Sequence, residues 1–198
     1  IQETRVVKNN ITSSVFVDEA GVATVDNITE KIKEGVSSMS GALAIFAKTK
    51  SLSPVKTRLA SDIGTTLAEA FYGLSVGAVA EIVKTACKQS NNDIIPYWAL
   101  AEKEAVDHKE WQNFKTIWTD EGDLGMRLHN IYRTLCKKHD YVILIGTDSP
   151  QLEPELITSA MNKLKEQPES CVIGPALDGG FYLLAAAIPL AEQIWRKV

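Results

Sequence analysis

The run Tyr141-Val142-Ile143-Leu144-Ile145-Gly146-Thr147-Asp148-Ser149-Pro150 constrains the fold more than any other stretch of the chain. Its apolar part shows no alternation, which suits a strand buried on both faces. Such strands belong to parallel sheets covered by helices. Gly146 frees the backbone, and Pro150 bars the strand from continuing in a central position. Asp148 is thereby delivered to the carboxyl end of a central strand, the edge where open α/β sheets bind ligands. A carboxylate placed there needs a metal, a basic group or open solvent beside it. The same acid can instead be a turn or capping residue ahead of Pro150.

Strand and helix patterns alternate around this run. Residues 42–47, 94–100, 114–118, 171–173 and 181–184 read as strands. Leu67, Phe71, Leu74, Ala78 and Ile82 recur at spacings of three and four, which predicts one buried helix face. Leu124, Leu128, Ile131 and Leu135 form a second stripe, with Asp123 at the N-cap position. Pro154 suits the first turn of a third helix carrying Leu156, Ile157, Ala160, Met161 and Leu164. The alternation predicts an α/β fold of three layers, a mostly parallel sheet between helices. Residues 1–40 read differently. Residues 15–17 and 22–25 flank Asp18-Glu19-Ala20-Gly21 as a hairpin, residues 27–35 suit a short helix, and residues 37–41 a linker. The expected organisation is an accessory N-terminal arm over residues 1–40, able to mediate a homodimer, followed by one domain over residues 41–198.

With 198 residues and 45% hydrophobic composition, the chain suits an ordinary globular core. A net charge of −4 leaves no electrostatic footprint for nucleic acid, although a few local Lys and Arg residues can still bind a small anion. Cys87, Cys136 and Cys171 show no CxxC or Cys/His spacing and read as reduced thiols of a cytoplasmic protein. The histidines are equally dispersed and suggest no metal cluster. No apolar run reaches the ~18–20 residues of a membrane span; the nearest, residues 181–191, contains Pro189. No charged-then-apolar leader opens the sequence.

Three further stretches carry candidate chemistry. Ala47 closes the first strand of the domain, and Lys48-Thr49-Lys50-Ser51-Leu52-Ser53-Pro54-Val55-Lys56-Thr57-Arg58-Leu59 follows as a polar, basic loop. In an extended loop Lys56 and Arg58 point to one side, where Arg offers a bidentate fork and Lys a point charge to a diphosphate. The glycines of a GxxxxGK[ST] motif are missing, and ordinary solvated charges are the alternative. Gly122-Asp123-Leu124-Gly125-Met126-Arg127 opens the second helix, either as a plain cap at Asp123 or as the rim of a ligand cleft with Arg127. Gly174-Pro175-Ala176-Leu177-Asp178-Gly179-Gly180 allows close approach of backbone to a ligand, or an Asp-Gly hairpin turn into Phe181-Tyr182.

Together, Ala44-Ile45-Phe46-Ala47-Lys48, Val55-Lys56-Thr57-Arg58-Leu59, Gly122–Arg127, Gly146–Pro150 and Gly174–Tyr182 resemble a family of small bacterial glycosyltransferase-like proteins of the GT-A type, DUF2064. The resemblance implies a Rossmann-like nucleotide-diphospho-sugar transferase fold. It implies that Ala47, Lys48, Lys56, Arg58, Asp123 and Arg127 surround the nucleotide and its phosphates. Asp148 stands at the position of the metal-binding acid, where Mg²⁺ or Mn²⁺ bridges a diphosphate, and Asp178 lies on the acceptor side as a general base or second metal ligand. The sequence departs from the pattern in two ways: Thr147-Asp148-Ser149 replaces a DxD triplet, and the chain ends at Val198 where relatives continue.

The function so implied is metal-assisted transfer of a sugar from a nucleotide-diphospho-sugar to a small-molecule acceptor. The cation at Asp148, with Lys56 and Arg58, would stabilise charge on the leaving diphosphate, and Asp178 would take the acceptor proton. Nucleotidyl transfer from a nucleoside triphosphate is the alternative, since Val55–Leu59 is also similar to a block of guanylyltransferases of cofactor biosynthesis. A nucleotide-binding module without turnover is the third reading.

Overall fold

The computed structural model describes residues 3–8, 11–16, 39–177 and 179–195. The chain divides into two compact units, residues 1–38 and 39–198. In the first, β1 (Glu3–Lys8) pairs antiparallel with β2 (Ile11–Phe16), from Glu3 opposite Phe16 to Lys8 opposite Ile11. The strand containing Val15 and Phe16 thus has a partner on its N-terminal side that the sequence reading did not expect. The overlooked signal is Asn9-Asn10 between the strands, a residue type suited to two-residue hairpin loops. Residues 22–25 and the helix expected at 27–35 lie outside the described residues.

The second unit is built outward from β3 (Gly41–Ala47), in which Ala42, Leu43, Ala44 and Ile45 are fully buried. Two parallel neighbours flank it, β4 (Ile94–Leu100) and β6 (Tyr141–Gly146). On one side β5 (Lys115–Trp118) extends the parallel set beyond β4. On the other, β8 (Phe181–Ala186) adds antiparallel to β6, and β7 (Cys171–Pro175) adds antiparallel to β8. The order β5-β4-β3-β6-β8-β7 makes a six-stranded, mostly parallel sheet. Successive strands depart from β3 first to one side and then, with β6, to the other. The switch point between β3 and β6 is where open sheets of this kind hold ligands.

Helices cover both faces. After β3 the chain passes through α1 (Thr57–Ile63), which buries no residue, and turns at Gly64 (φ 87°) into α2 (Thr65–Gln89). Strand parity then sorts the side chains into two cores, because successive residues point to opposite faces. Leu43, Ile45, Trp98, Leu100, Ile143 and Ile145 pack with α2 and α4 (Pro154–Glu166). Ala42, Ala44, Ala99, Val142 and Leu144 pack with α3 (Leu124–Cys136) and with Trp195 of α5 (Glu192–Trp195). The three layers are those the alternation predicted. Leu128, Ile131 and Leu135 of α3 are buried as expected, whereas Leu124 is exposed.

Helix α2 presents a different face from the expected one. It buries Ala68, Tyr72, Ser75, Val79, Ala80, Val83, Ala86 and Cys87, while Leu67, Phe71 and Leu74 are 61%, 45% and 76% exposed. Small side chains let the helix lie close to the sheet, and a periodicity that weights only large apolar residues selects the neighbouring stripe. The membrane expectation also changes. Among the described residues, α2 is long and apolar enough by length and composition to cross a membrane. Its Gly, Ser and Thr residues, with Glu69, Glu81, Lys84 and Lys88, interrupt any consecutive apolar run. Here it packs against β4, α1 and α4.

Two outcomes test this packing. A Cβ on Gly41 would stand 1.9 Å from Cε2 of the fully buried Tyr141 ring, so Gly41→Ala should cost about 1–3 kcal/mol in denaturant titration, the usual price of overpacking. Leu74→Ser, on the exposed stripe, should stay within about 0.5 kcal/mol of the parent in the same titration.

Candidate functional site

The loops after β3 and β6 leave the sheet side by side at the switch point, and one helix face holds both. The Tyr72 hydroxyl accepts the Lys48 N–H at 2.8 Å and donates to the Lys48 carbonyl at 2.9 Å. One turn further along α2, Ser75 Oγ donates to the Thr147 carbonyl. Burial pushes the Tyr72 phenol up, against the lowering influence of its Lys48 and Thr147 bonds; the charges of Asp148 and Glu102 add to the rise. The hydroxyl therefore stays protonated and able to donate.

The β3 loop has a second anchor on the far side. Glu102, half-buried two residues past the end of β4, accepts the Thr49 N–H on Oε2 at 2.9 Å and the Ser53 hydroxyl on Oε1. The Trp111 indole donates to Thr49 Oγ1 at 3.1 Å, and the Thr49 carbonyl takes the Leu52 and Ser53 N–H groups. So restrained, the loop ends at Lys56, whose φ of 48° is left-handed. Its Nζ lies 2.9 Å from Asp148 Oδ1 and 5.6 Å from the Phe71 ring centroid. The Lys56 side chain is 20% exposed and that of Asp148 75%. With its acid largely in solvent, the pair is only partly shielded, and its contribution stays at the ~1 kcal/mol upper end for surface pairs.

The structure brings Lys56 and Asp148 together but not the whole predicted set. Arg58 lies in the first turn of α1, exposed and without an ion pair among the described residues. The common direction expected for Lys56 and Arg58 does not arise, because residues two apart do not share a side once the chain is helical. Ala47 is buried, its carbonyl accepting the Ala101 N–H, and Lys48 has both backbone groups on Tyr72. Asp123 caps α3 through the Met126 N–H at 2.8 Å. Arg127 spends its guanidinium internally: Nε on the Gly122 carbonyl at 2.9 Å, Nη1 on the Ala101 carbonyl at 3.1 Å and Thr119 Oγ1 at 3.0 Å. It ties the start of α3 to the ends of β4 and β5. Asp178 lies outside the described residues.

Among the described residues no three His, Cys, Asp or Glu side chains converge on a possible metal position. Asp148 alone does not cage a resident ion. One carboxylate is, however, the donor number with which a phosphate-bound Mg²⁺ is commonly held. Clefts of about 450 Å³ beside Pro54, Thr57 and Glu69, and about 440 Å³ between His129, Arg133 and Trp195, include neither Lys56 nor Asp148. Sequence reasoning missed Glu102, Tyr72, Ser75 and Trp111. Glu102 carried the same signal that marked Asp148, an acid just past a strand's carboxyl end.

The profile of the DUF2064 family, described as an uncharacterized protein conserved in bacteria, matches residues 82–198. The chain belongs to DUF2064. This DUF2064 chain is similar in structure to a candidate nucleotide-diphospho-sugar transferase from Desulfovibrio desulfuricans G20, with 24% identity and a TM-score of 0.63 over 81% of this chain and 69% of that one. It is also similar to 4-diphosphocytidyl-2C-methyl-D-erythritol synthase from Anaerococcus prevotii DSM 20548, with 11% identity and a TM-score of 0.50 over 82% of this chain and 76% of that one. At these identities the shared property is the fold, which is that of nucleotide-diphospho-sugar transferases. No curated protein matches the chain.

The internal use of Arg127 predicts a stability role. Arg127→Met should lower stability by about 1.5–3 kcal/mol, the range for hydrogen bonds to a charged group. Arg127→Lys should recover only part of it, since one ammonium cannot span three carbonyl and hydroxyl acceptors on the guanidinium's fork. Thermal denaturation of the three proteins checks both statements.

Proposed function

We propose that this DUF2064 protein is a transferase that binds a nucleotide-diphospho-sugar at the β3–β6 switch point and passes the sugar to a small-molecule acceptor. The observation that carries the reading is the Lys56–Asp148 pair, a cation and an acid held 2.9 Å apart by loops from adjacent central strands. The Lys56 ammonium would turn from Asp148 to the diphosphate and stabilise the charge that grows on it as the sugar leaves. Arg58, exposed two residues further on in the first turn of α1, is a candidate second cation for the diphosphate. Asp148, released by Lys56, would hold a divalent ion arriving with the diphosphate; that ion supplies further charge neutralisation at the leaving group. Asp178 is assigned to the acceptor side as the base that removes the hydroxyl proton, on the family resemblance alone.

Nucleotidyl transfer is the second reading, favoured by the fold shared with the Anaerococcus synthase. It uses the same cation and acid but consumes a nucleoside triphosphate and releases pyrophosphate.

A thermal-shift panel of UDP, CDP, GDP and ADP, their sugars and the triphosphates, with and without Mn²⁺, tests the site. Ligand at a hundredfold its Kd should stabilise the native protein by about 2.7 kcal/mol. Lys56→Met should remove the shift, and Asp148→Asn should remove the part that depends on Mn²⁺. A wild-type protein indifferent to every nucleotide overturns the proposal. Pyrophosphate release from a triphosphate decides for the second reading over the first.

A further inference from the structure

We propose that Glu102 is a positioning residue, whose carboxylate locks the β3 loop into the shape that presents Lys56 at the switch point. The ligand part of this inference rests on the nucleotide reading above; the mechanical part does not.

A carboxylate beside a phosphate site is counterproductive unless something consumes its charge. Both Glu102 oxygens are consumed: Oε2 by the Thr49 N–H at 2.9 Å, Oε1 by the Ser53 hydroxyl. The two donors stand four residues apart on the loop, so the one side chain closes the turn that the Thr49 carbonyl forms with the Leu52 and Ser53 N–H groups. Hydrogen bonds to an ionised acceptor are the strong ones, and here one holds the Thr49 backbone, which lies outside any strand or helix, and the other the Ser53 side chain. Lys56 follows three residues later in a left-handed conformation that a non-glycine residue holds only when its surroundings over-determine it. Tyr72 fixes the start of the loop and Glu102 its middle, upstream of the Lys56 that meets Asp148. Glu102 is itself placed from behind. The preceding carbonyl, of Ala101, is gripped by Arg127 Nη1 at 3.1 Å, which connects the start of α3 to the loop through β4.

The test uses the whole chain with Glu102→Ala and the shape-preserving Glu102→Gln. Lys48 and Lys50 are exposed in the loop and serve as tryptic reporters of its order. Glu102→Ala removes both hydrogen bonds and should speed trypsin cleavage at these two sites by at least roughly tenfold, the factor that follows from losing one charge-assisted hydrogen bond alone. The affinity for whichever of UDP, CDP or GDP binds the wild type, titrated calorimetrically, should weaken by a similar factor. Glu102→Gln should recover part of both, since its amide oxygen can still accept the Thr49 N–H. A lowered melting temperature with unchanged loop cleavage in the folded protein would make Glu102 merely structural and overturn the proposal. So would faster cleavage with undiminished nucleotide affinity. If the wild type binds none of the nucleotides, the functional reading fails by itself, and the cleavage rates of the two variants still decide the role of Glu102.

Discussion

Two hydroxyls on the buried face of α2 hold the candidate site together. Tyr72 bonds both backbone groups of Lys48, and Ser75 bonds the carbonyl of Thr147. The loops they restrain emerge from β3 and β6, strands that are in register but separated by more than ninety residues of chain. Without a common brace, two polar loops at a sheet edge would have little reason to keep one mutual geometry. A purely apolar helix face would cover the sheet equally well but would leave those backbone groups unclaimed, and unclaimed polar groups near a core are costly.

From that brace the charge arrangement follows. The acid stands just past a strand whose residues Tyr141–Ile145 are all buried, and the lysine comes from a loop whose own hydrogen bonds go to Tyr72, Glu102 and Trp111. The acid stays largely in solvent while the lysine side chain is mostly covered, so the pair is screened on one side and contributes modestly to folding. Under the proposed function it is a preorganised exchange: each partner keeps the other occupied with a charge of the sign its proposed ligand would bring. Order resides in the neutral and half-buried contacts behind the pair, and the pair itself remains free to open.

Much of the scaffold was legible in the residues. The strand at Val142–Ile145 declared itself by an unbroken apolar run, Asp123 by its place before a helical stripe, and Pro154 by its fitness for a first helical turn. These are local signals whose physics involves only a few neighbouring residues. The α2 face was misread because burial there depends on how closely the helix approaches the sheet, which rewards Ala and Ser over Leu and Phe. Arg127 looked like a free cation in the sequence, yet its guanidinium is consumed by carbonyls that the β4 and β5 strand ends bring to it. The presumed pairing of Lys56 with Arg58 assumed extended backbone, and a short helix beginning at Thr57 removed that premise.

By itself the sequence determined the alternation of strands and helices, the doubly buried central strand, and the delivery of Asp148 to the sheet's carboxyl edge. Hydrophobic periodicity and the backbone limits of Gly and Pro act over a few residues, so they can be read directly from the chain. Only the tertiary structure decided which cation meets that acid, which helix face turns inward, and that Glu102 serves the loop and not the solvent. Those outcomes depend on partners dozens of residues away, brought together by strand order, and no local pattern encodes a distance between them.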